Sequence, residues 1–227
     1  MGRSERGARA LGHLGSEIES CHRCPRLVSW REQVAASPRA SFAGERYWGR
    51  PVRGFGDPGA RLVVVGLAPA AHGANRTGRL FTGDRSGDWL FRALWRAGYA
   101  NRPESVGKDD GLALSGAWVS AVVRCAPPAN KPTPEERDNC LPYLRDELEL
   151  LTDKRVIVVL GRFACTALAG LVGVRPRPRF GHLAEHPMPG GQVLLCSYHP
   201  SQQNTFTGTL TEEMFDAVFA RARALGA

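Results

Sequence analysis

The chain has 227 residues, of which 43% are hydrophobic, and its formal net charge is +8. This length suits one hydrophobic core, so we predict a flexible tail over residues 1–10 and a single domain over residues 11–227. No apolar run is long enough for a membrane span and no apolar stretch follows the first residues, so a cytoplasmic protein without a membrane partner is expected. The basic balance favours a polyanionic partner such as nucleic acid, although the preference for arginine over lysine is also typical of a GC-rich genome.

Helical and strand-like patterns alternate along the chain. Leu11, Leu14 and Ile18 have helical spacing, and the aromatic, Gly- and Pro-rich residues 36–60 are interpreted as an ordered loop over the sheet. Four apolar runs then follow at the spacing of βα units: Leu62–Gly66, Trp118–Val123, Val156–Leu160 and Val193–Tyr198. These runs lack strict alternation, which indicates strands buried on both faces of a parallel sheet. The prediction is an α/β fold, a three-layer sandwich around a four-stranded, mainly parallel sheet.

The segments between these strands carry helix signals. Apolar residues with one-face spacing over 89–97 predict a helix after the first polar loop. Thr133-Pro134-Glu135-Glu136 is a capping box with proline at the first helical position. Small residues over 162–172 predict a helix close to the sheet, and Thr209-Leu210-Thr211-Glu212 caps a last helix.

Four of the six cysteines have positions that suggest a metal site. Cys21 and Cys24 form a C-x-x-C pair, Cys125 follows the second strand, and Cys140 lies in the helix capped by Thr133. Four thiolates can hold a tetrahedral zinc ion or an iron–sulfur cluster. The alternative is that the C-x-x-C pair is accidental and the others are buried thiols. The remaining two, Cys165 and Cys196, are interpreted as core residues.

Two polar loops follow the first and fourth strands. The first, Gly66–Asp84, is rich in glycine and ends with an aromatic residue, Phe81, and a carboxylate, Asp84. Loops at the carboxyl ends of parallel strands hold ligands, so this pair suggests a flat group held while a bond beside it is cut. Asp84 could equally be only the N-cap of the next helix. His199, at the end of the fourth strand, is placed to face the same crevice or to play a structural role.

Taken together, these segments resemble the uracil-DNA glycosylase superfamily, and within it most closely the iron–sulfur family 5. The resemblance runs from about Cys21 to Arg223 with the motifs in family order. The segments that carry it are Gly66–Gly73, Phe81–Asp84, Val123–Glu136 and His199–Thr205.

The resemblance implies a cofactor, a substrate class and a partner. The four cysteines would hold a 4Fe–4S cluster, with zinc as the less favoured alternative. Substrates would be uracil and other deaminated or oxidised bases, such as hypoxanthine and hydroxymethyluracil, in double- or single-stranded DNA. We expect a nucleoid-associated monomer that starts base-excision repair. The competing hypotheses are a non-catalytic iron–sulfur protein that binds damaged or single-stranded DNA, and an electron-transfer or nucleotide-binding protein, which the lack of a G-x-G-x-x-G turn disfavours.

The resemblance also assigns roles to residues of this sequence. Phe81 would stack on a flipped base, His199 would donate a hydrogen bond to the departing base, and Asp84 would activate water. Gly66 and Ala68 would line the base pocket. Residues expected to contact DNA are Asn75 and Arg76, which could instead brace their loop, together with Ser201, Gln203 and Asn204.

The sequence departs from the superfamily pattern at three apolar positions. Relatives keep polar residues where Leu67, Ala68 and Ala121 stand here, so neither Leu67 nor Ala68 can activate water. Catalysis is therefore expected to depend on Asp84 and His199. Loss of the amide at Ala121 should loosen base selection, and Asn130 is the candidate for a replacement contact.

Overall fold

The sheet has six strands. The computed structural model describes the backbone of residues 3–227 and the side chains of residues 5–227. The strands are β1 Phe55–Gly56, β2 Leu62–Gly66, β3 Ala117–Ala121, β4 Val156–Leu160, β5 Glu185–Pro187 and β6 Val193–Ser197. Their spatial order is β1-β3-β2-β4-β6-β5, with parallel pairs in the centre and an antiparallel strand at each edge.

The predicted α/β class is confirmed, but the predicted strand count of four is wrong. The four central strands lie where the apolar runs predicted them, within two residues at their ends. The two additional edge strands have only two and three residues and are partly exposed. They contain glycine and proline and bury no continuous face, so hydrophobic patterning could not indicate them.

Helices cover both faces of the sheet. They are α1 Arg3–Glu19, α2 Pro25–Ala36, α3 Ala74–Thr77, α4 Arg85–Arg96, α5 Pro134–Leu150, α6 Arg162–Leu171, α7 Gln202–Phe206 and α8 Glu212–Ala224. On one face Val63 and Ile157 share a core with α1, α5 and α6, and on the other Val64 and Val158 share a core with α4 and α8. Valine and isoleucine side chains of one strand alternate between these two cores, which gives the predicted three layers.

The first helix includes part of the stretch predicted to be a flexible tail. Helix α1 begins at Arg3, so residues 3–10 are helical, while residues 1 and 2 lie outside the described residues. Glu5 in the first turn opposes the positive end of the helix dipole, and residues 3–10 contain no proline or β-branched residue.

The predicted capping box is present at the start of α5. The Thr133 side chain accepts a hydrogen bond from the Glu136 backbone, and the Glu136 side chain accepts one from the Thr133 backbone. Of the helices in the described part of the chain, none has the length and apolarity needed to cross a bilayer.

Strand register brings the functional loops to one edge. Gly66 pairs with Ala121 and Leu160 pairs with Ser197, so β2, β3, β4 and β6 end side by side. Strand β5 runs the other way, and Glu185 pairs with Leu195, which puts the start of β5 at that same edge. The loops that follow these strands therefore lie at the carboxyl edge of the sheet, and these loops carry Phe81, Asp84 and His199.

Candidate active site

Phe81 and His199 pack against each other at this edge. Their ring centroids are 6.2 Å apart with an angle of 30° between the ring planes. The Phe81 ring covers the end of β2, because a Cβ atom added to Gly66 would lie 2.5 Å from Phe81 Cζ. The absence of a side chain at Gly66 therefore makes room for this aromatic ring.

Phe81 is held in an unusual backbone conformation. Its φ angle is 53°, in the left-handed region that costs a non-glycine residue about 1–3 kcal/mol. Arg79 stabilises the turn: Nε donates to Thr82 Oγ1 at 3.0 Å and Nη2 donates to Asp110 Oδ2 at 2.6 Å. Both members of that ion pair are buried. Such strain, supported by a buried network, is typical of functional loops.

Asp84 is both a helix cap and a buried acid. Its Oδ1 atom accepts a hydrogen bond from the Gly87 backbone N–H at 3.0 Å, which confirms the N-cap interpretation. Its Oδ2 atom lies against Gly73, where an added Cβ would be 2.1 Å away. Burial raises the pKa of Asp84 above its ordinary value, against the lowering effect of the Gly87 and Ser86 backbone N–H groups. The cap and a catalytic role are therefore compatible, because the cap interaction uses one oxygen.

His199 is a neutral imidazole. Burial lowers its pKa to about 4, so the ring is uncharged at neutral pH and keeps a single N–H donor. Its backbone carbonyl accepts a hydrogen bond from Asn204 Nδ2 at 2.8 Å. Close packing against Gly161, where an added Cβ would lie 3.3 Å from His199 Cβ, restrains the residue further.

The side chains of Asn75 and Arg76 are engaged by other parts of the protein, and a DNA contact by either stays a prediction. Asn75 is 0% exposed and donates to the Arg31 carbonyl at 3.2 Å. Arg76 binds Glu45 at 2.6 Å and the Gly83 carbonyl at 3.1 Å. Both residues brace the loop between β2 and α4, which was the alternative. A polar residue in a glycine-rich loop looks exposed in sequence, and only its distant partners show that it is buried.

In the loop after β6, some polar side chains make hydrogen bonds within the protein and others are exposed. The hydroxyl of Ser201 caps α7, and the amide of Asn204 holds the His199 carbonyl. Gln203 is exposed. Phe206, which sequence analysis did not single out, is 68% exposed and lies under the Arg85 guanidinium at 4.4 Å. In the sequence, an aromatic residue in a polar segment a few positions beyond His199 is the signal that could have indicated Phe206.

Ala68 and Asn130 lie on the other side of the first loop. Ala68 packs against the core on the α5 side of the sheet. Asn130 is exposed, has a φ angle of 56°, and lines a pocket together with Ala71 and His72. The His72 ring, which sequence analysis missed, is 3.0 Å from the Tyr47 hydroxyl. A base contact by Asn130 stays a prediction.

The four predicted cysteine ligands line one cavity. Cys21 follows α1, Cys24 precedes α2, Cys125 follows β3, and Cys140 lies on α5. A tetrahedral zinc ion needs thiolates about 3.8 Å apart, which follows from Zn–S bonds of ~2.3 Å. Among the described side chains, no three cysteine, histidine or acidic groups converge as ligands of one metal ion.

Two buried arginines line the cysteine cavity, and one of them, Arg124, is paired with the buried Glu147 at 2.7 Å. Arg31, 1% exposed, donates to Cys125 Sγ at 3.0 Å, and the Arg124 backbone N–H donates to Cys140 Sγ at 3.3 Å. Arg31 Nε and two nitrogens of the Arg124 guanidinium are buried without a partner. Burial raises the pKa of Cys125 to about 12 and that of Cys140 to about 11, so these thiols ionise only when a metal replaces their protons. Four thiols among unpaired guanidinium donors fit an anionic thiolate-ligated cluster.

Comparison with known proteins identifies the family. A model described as the Uracil DNA glycosylase superfamily matches residues 53–223. The chain therefore belongs to the uracil-DNA glycosylase superfamily, an assignment consistent with the α/β fold and the site at the strand ends. Its branch is that of the type-5 uracil-DNA glycosylases, as the resemblance predicted.

The relatives support the branch across most of the chain. Proteins named type-5 uracil-DNA glycosylase are 54% identical in Mycobacterium bovis, over 96% of this chain and 83% of the relative, and 54% identical in Thermus thermophilus, over 92% and 94%. A type-4 uracil-DNA glycosylase from Pyrobaculum aerophilum is 31% identical over 84% of this chain and 83% of the relative. Identity to the type-5 proteins is thus well above identity to the type-4 protein.

The close approach of Phe81 to Gly66 gives a prediction. Gly66→Ala should displace the ring and lower single-turnover excision of uracil at least tenfold, because the added Cβ would lie 2.5 Å from Phe81 Cζ. Gly170→Ala is the matched control, since its Cβ would meet nothing within 4 Å on helix α6, and it should stabilise the fold by about 0.5–1 kcal/mol. Equal excision rates for both variants would show that the ring position is unimportant.

Proposed function

We propose that this chain hydrolyses the N-glycosidic bond of uracil in DNA and also releases hypoxanthine and hydroxymethyluracil, starting base-excision repair. The observation that carries this proposal is the contact of Phe81 with His199 at the carboxyl ends of the strands, with the buried carboxylate of Asp84 on the same loop as Phe81. The names of the type-5 relatives support uracil in DNA as the substrate. The apolar residues Leu67, Ala68 and Ala121 support a wider range of bases, because they make no hydrogen bond that would select one base edge.

Base binding requires that the nucleotide leave the duplex. A glycosylase cannot reach its target bond inside stacked DNA, so the nucleotide is flipped into a pocket. Phe81 provides a fixed aromatic face, and stacking of a base on such a face contributes about 1–3 kcal/mol with little dependence on base identity. The buried Arg79 network keeps this ring in place before the base arrives.

His199 stabilises the departing base. Negative charge develops on the base as the glycosidic bond breaks, and a preorganised donor to such an oxyanion contributes about 2.7–4 kcal/mol. His199 donates as a neutral imidazole, because its pKa of about 4 keeps it uncharged at neutral pH. Protonation of this residue is therefore not required for activity near pH 7.

Asp84 acts on water and on the sugar. Burial raises the pKa of its carboxyl group, which makes the carboxylate a better proton acceptor than an exposed aspartate. The oxygen beside Gly73 orients the attacking water, while the other remains bound to the Gly87 N–H. The negative charge also favours the positive charge that develops on the sugar.

Cys21, Cys24, Cys125 and Cys140 hold a 4Fe–4S cluster in this proposal. When bound, the cluster supplies a rigid crosslink between the first two helices and the exit of β3. The chain's own residues extend that crosslink toward the active site: Arg31 donates to Cys125, and its carbonyl accepts from Asn75. Asn75 lies in α3, inside the loop that carries Phe81 and Asp84.

Duplex and single-stranded oligonucleotides that contain uracil, hypoxanthine or hydroxymethyluracil test the proposal. Purified protein is incubated with each, and abasic sites are then cleaved with alkali. Cleavage at uracil supports the enzyme, and cleavage at the other lesions supports the wider range. Failure to cleave at any lesion would refute the proposal, and tight binding in that case would favour a non-catalytic DNA-binding protein.

Phe206 is the residue we assign to the gap left by the flipped base. It is 68% exposed at the end of α7, directly after the His199 loop. Phe206→Ala should reduce excision of uracil at least tenfold in duplex DNA and much less in a single strand, because a single strand leaves no gap to fill. Trp95→Ala is the control, since Trp95 is an exposed aromatic residue in the last turn of α4. Equal losses on both substrates would exclude this role.

A further inference from the structure

The connection between α6 and β5 carries a run of arginines that the proposed mechanism does not use. It reads Arg175-Pro176-Arg177-Pro178-Arg179, and we name residues 175–179 the arginine arm. All three arginines are exposed, and among the described residues their side chains make no hydrogen bond or ion pair. Other surface arginines do find acids, such as Arg221 with Glu185 and Arg96 with Asp216. The arginine arm is therefore a local excess of positive charge.

The reversed direction of β5 brings the chain after the arginine arm to the carboxyl edge of the sheet. A connection that leads into another parallel strand would have to reach the amino edge of the sheet. Because β5 is antiparallel to β6, its connection instead arrives at the carboxyl edge, where Leu183 N–H donates to the Cys196 carbonyl at 2.8 Å. The backbone N–H of Tyr198, the residue before His199, donates to His182 Nδ1 at 3.3 Å.

Aromatic packing anchors the arginine arm at that edge. Phe180, the next residue after the arm, lies 6.1 Å from the Tyr198 ring between centroids. The Arg162 guanidinium lies 5.3 Å above the Phe180 ring, which brings a further cation to the same place. At the other end, Val174 is buried. The two prolines restrict the arm's backbone further, so less backbone conformational entropy is lost on binding.

We propose that the arginine arm binds the phosphate backbone of the DNA outside the flipped nucleotide, an inference that rests on the proposed function. A guanidinium forms two parallel hydrogen bonds to a phosphate, and such contacts position the duplex without reading its sequence. The arm and the Tyr198–His199 segment share one anchor at Phe180, so phosphates bound by the arm hold the target strand in fixed register with His199.

The salt dependence of DNA binding tests the arginine arm. The test variant is Arg177→Gln/Arg179→Gln, which removes the two arginines nearest the Phe180 anchor. The control is Arg61→Gln/Arg155→Gln, which removes two exposed arginines at the amino ends of β2 and β4. Both are made in the full chain carrying Asp84→Asn, so that a uracil-containing duplex stays intact. The logarithm of the binding constant falls with the logarithm of salt concentration by about 0.9 per phosphate contact. The arm variant should flatten this slope by about 1.8, whereas the control should leave it unchanged.

The outcomes separate the arginine arm from the enzyme proposal. An unchanged slope in the arm variant, or an equal change in the control, overturns the arm. A flattened slope in the arm variant, with an unchanged slope in the control, supports phosphate binding by the arginine arm. If the chain with Asp84 intact excises no base, the proposed enzymatic function is refuted, but the result for the arginine arm still stands. Thermal unfolding of both double variants checks that each is folded.

Discussion

Replacing Asp84 with asparagine is expected to reduce single-turnover excision of uracil about 10²–10⁴-fold, the contribution typical of a positioned acid–base group. Asparagine has nearly the same shape and is an equally good N-cap, so the hydrogen bond to the Gly87 N–H is kept. The substitution removes only the charge and the basicity. Asp84→Ala would also lose the cap, at a cost of about 1 kcal/mol in helix stability, and is the less specific test.

Stability should move in the opposite direction from activity. Burial raises the pKa of Asp84 in the folded protein above its value in the unfolded chain. The contribution of this group to the free energy of unfolding is therefore fully present below the ordinary pKa, where the carboxyl group is protonated in both states. That contribution is lost as pH rises through the raised pKa of the folded protein. At neutral pH the wild-type protein therefore holds a buried charge that Asp84→Asn does not. We expect the free energy of unfolding of Asp84→Asn at pH 7 to equal or exceed that of the wild type.

The pH dependence of excision provides an independent measurement. Activity of the wild type should rise with pH through the raised pKa of Asp84, and Asp84→Asn should lack that limb. Asp88→Asn is the matched control, because Asp88 is an exposed acid in the first turn of the same helix. If Asp84→Asn keeps wild-type activity, Asp84 is only a helix cap.

Replacing Cys125 with serine is expected to abolish the visible absorption of the cluster and to remove its iron and sulfide. Cys125 is the ligand that Arg31 contacts, and it joins the exit of β3 to the cavity lined by the other three cysteines. Metal binding to a preformed site contributes directly to folding free energy. A loss of ~2 kcal/mol would lower Tm by about 4–8 °C in a chain of this size, and we expect at least that shift.

Cys165→Ala serves as the control for the cluster. Cys165 is also buried, and its Sγ lies 3.2 Å from that of Cys196, but it does not line the cysteine cavity. It should retain full iron content. Purified wild-type protein that contains one zinc ion, or no metal, would contradict the cluster assignment while leaving the glycosylase proposal to its own assay.

The sequence by itself determined the parts of this protein that depend on local patterns. The four central strands are continuous apolar runs, and the Thr133 capping box is a local exchange of hydrogen bonds, so both could be predicted within a few residues. The family motifs placed Phe81, Asp84 and His199 at strand ends, and the parallel register then brought Phe81 and His199 together. Residue spacing also indicated which four cysteines share a cavity.

Only the tertiary structure decided what depends on distant partners. Asn75 is buried because it binds the Arg31 carbonyl 44 residues away, and its polar character gave no sign of this. Strand β5 is too short to be recognised alone and exists because β6 offers an edge to pair with. That pairing brings Phe180, the residue after the arginine arm, against Tyr198, the neighbour of His199. Helix caps and apolar runs depend on neighbours in the chain, so the core of the fold could be predicted from sequence. Burial of polar residues and the direction of edge strands depend on long-range packing, so the surroundings of the site could not.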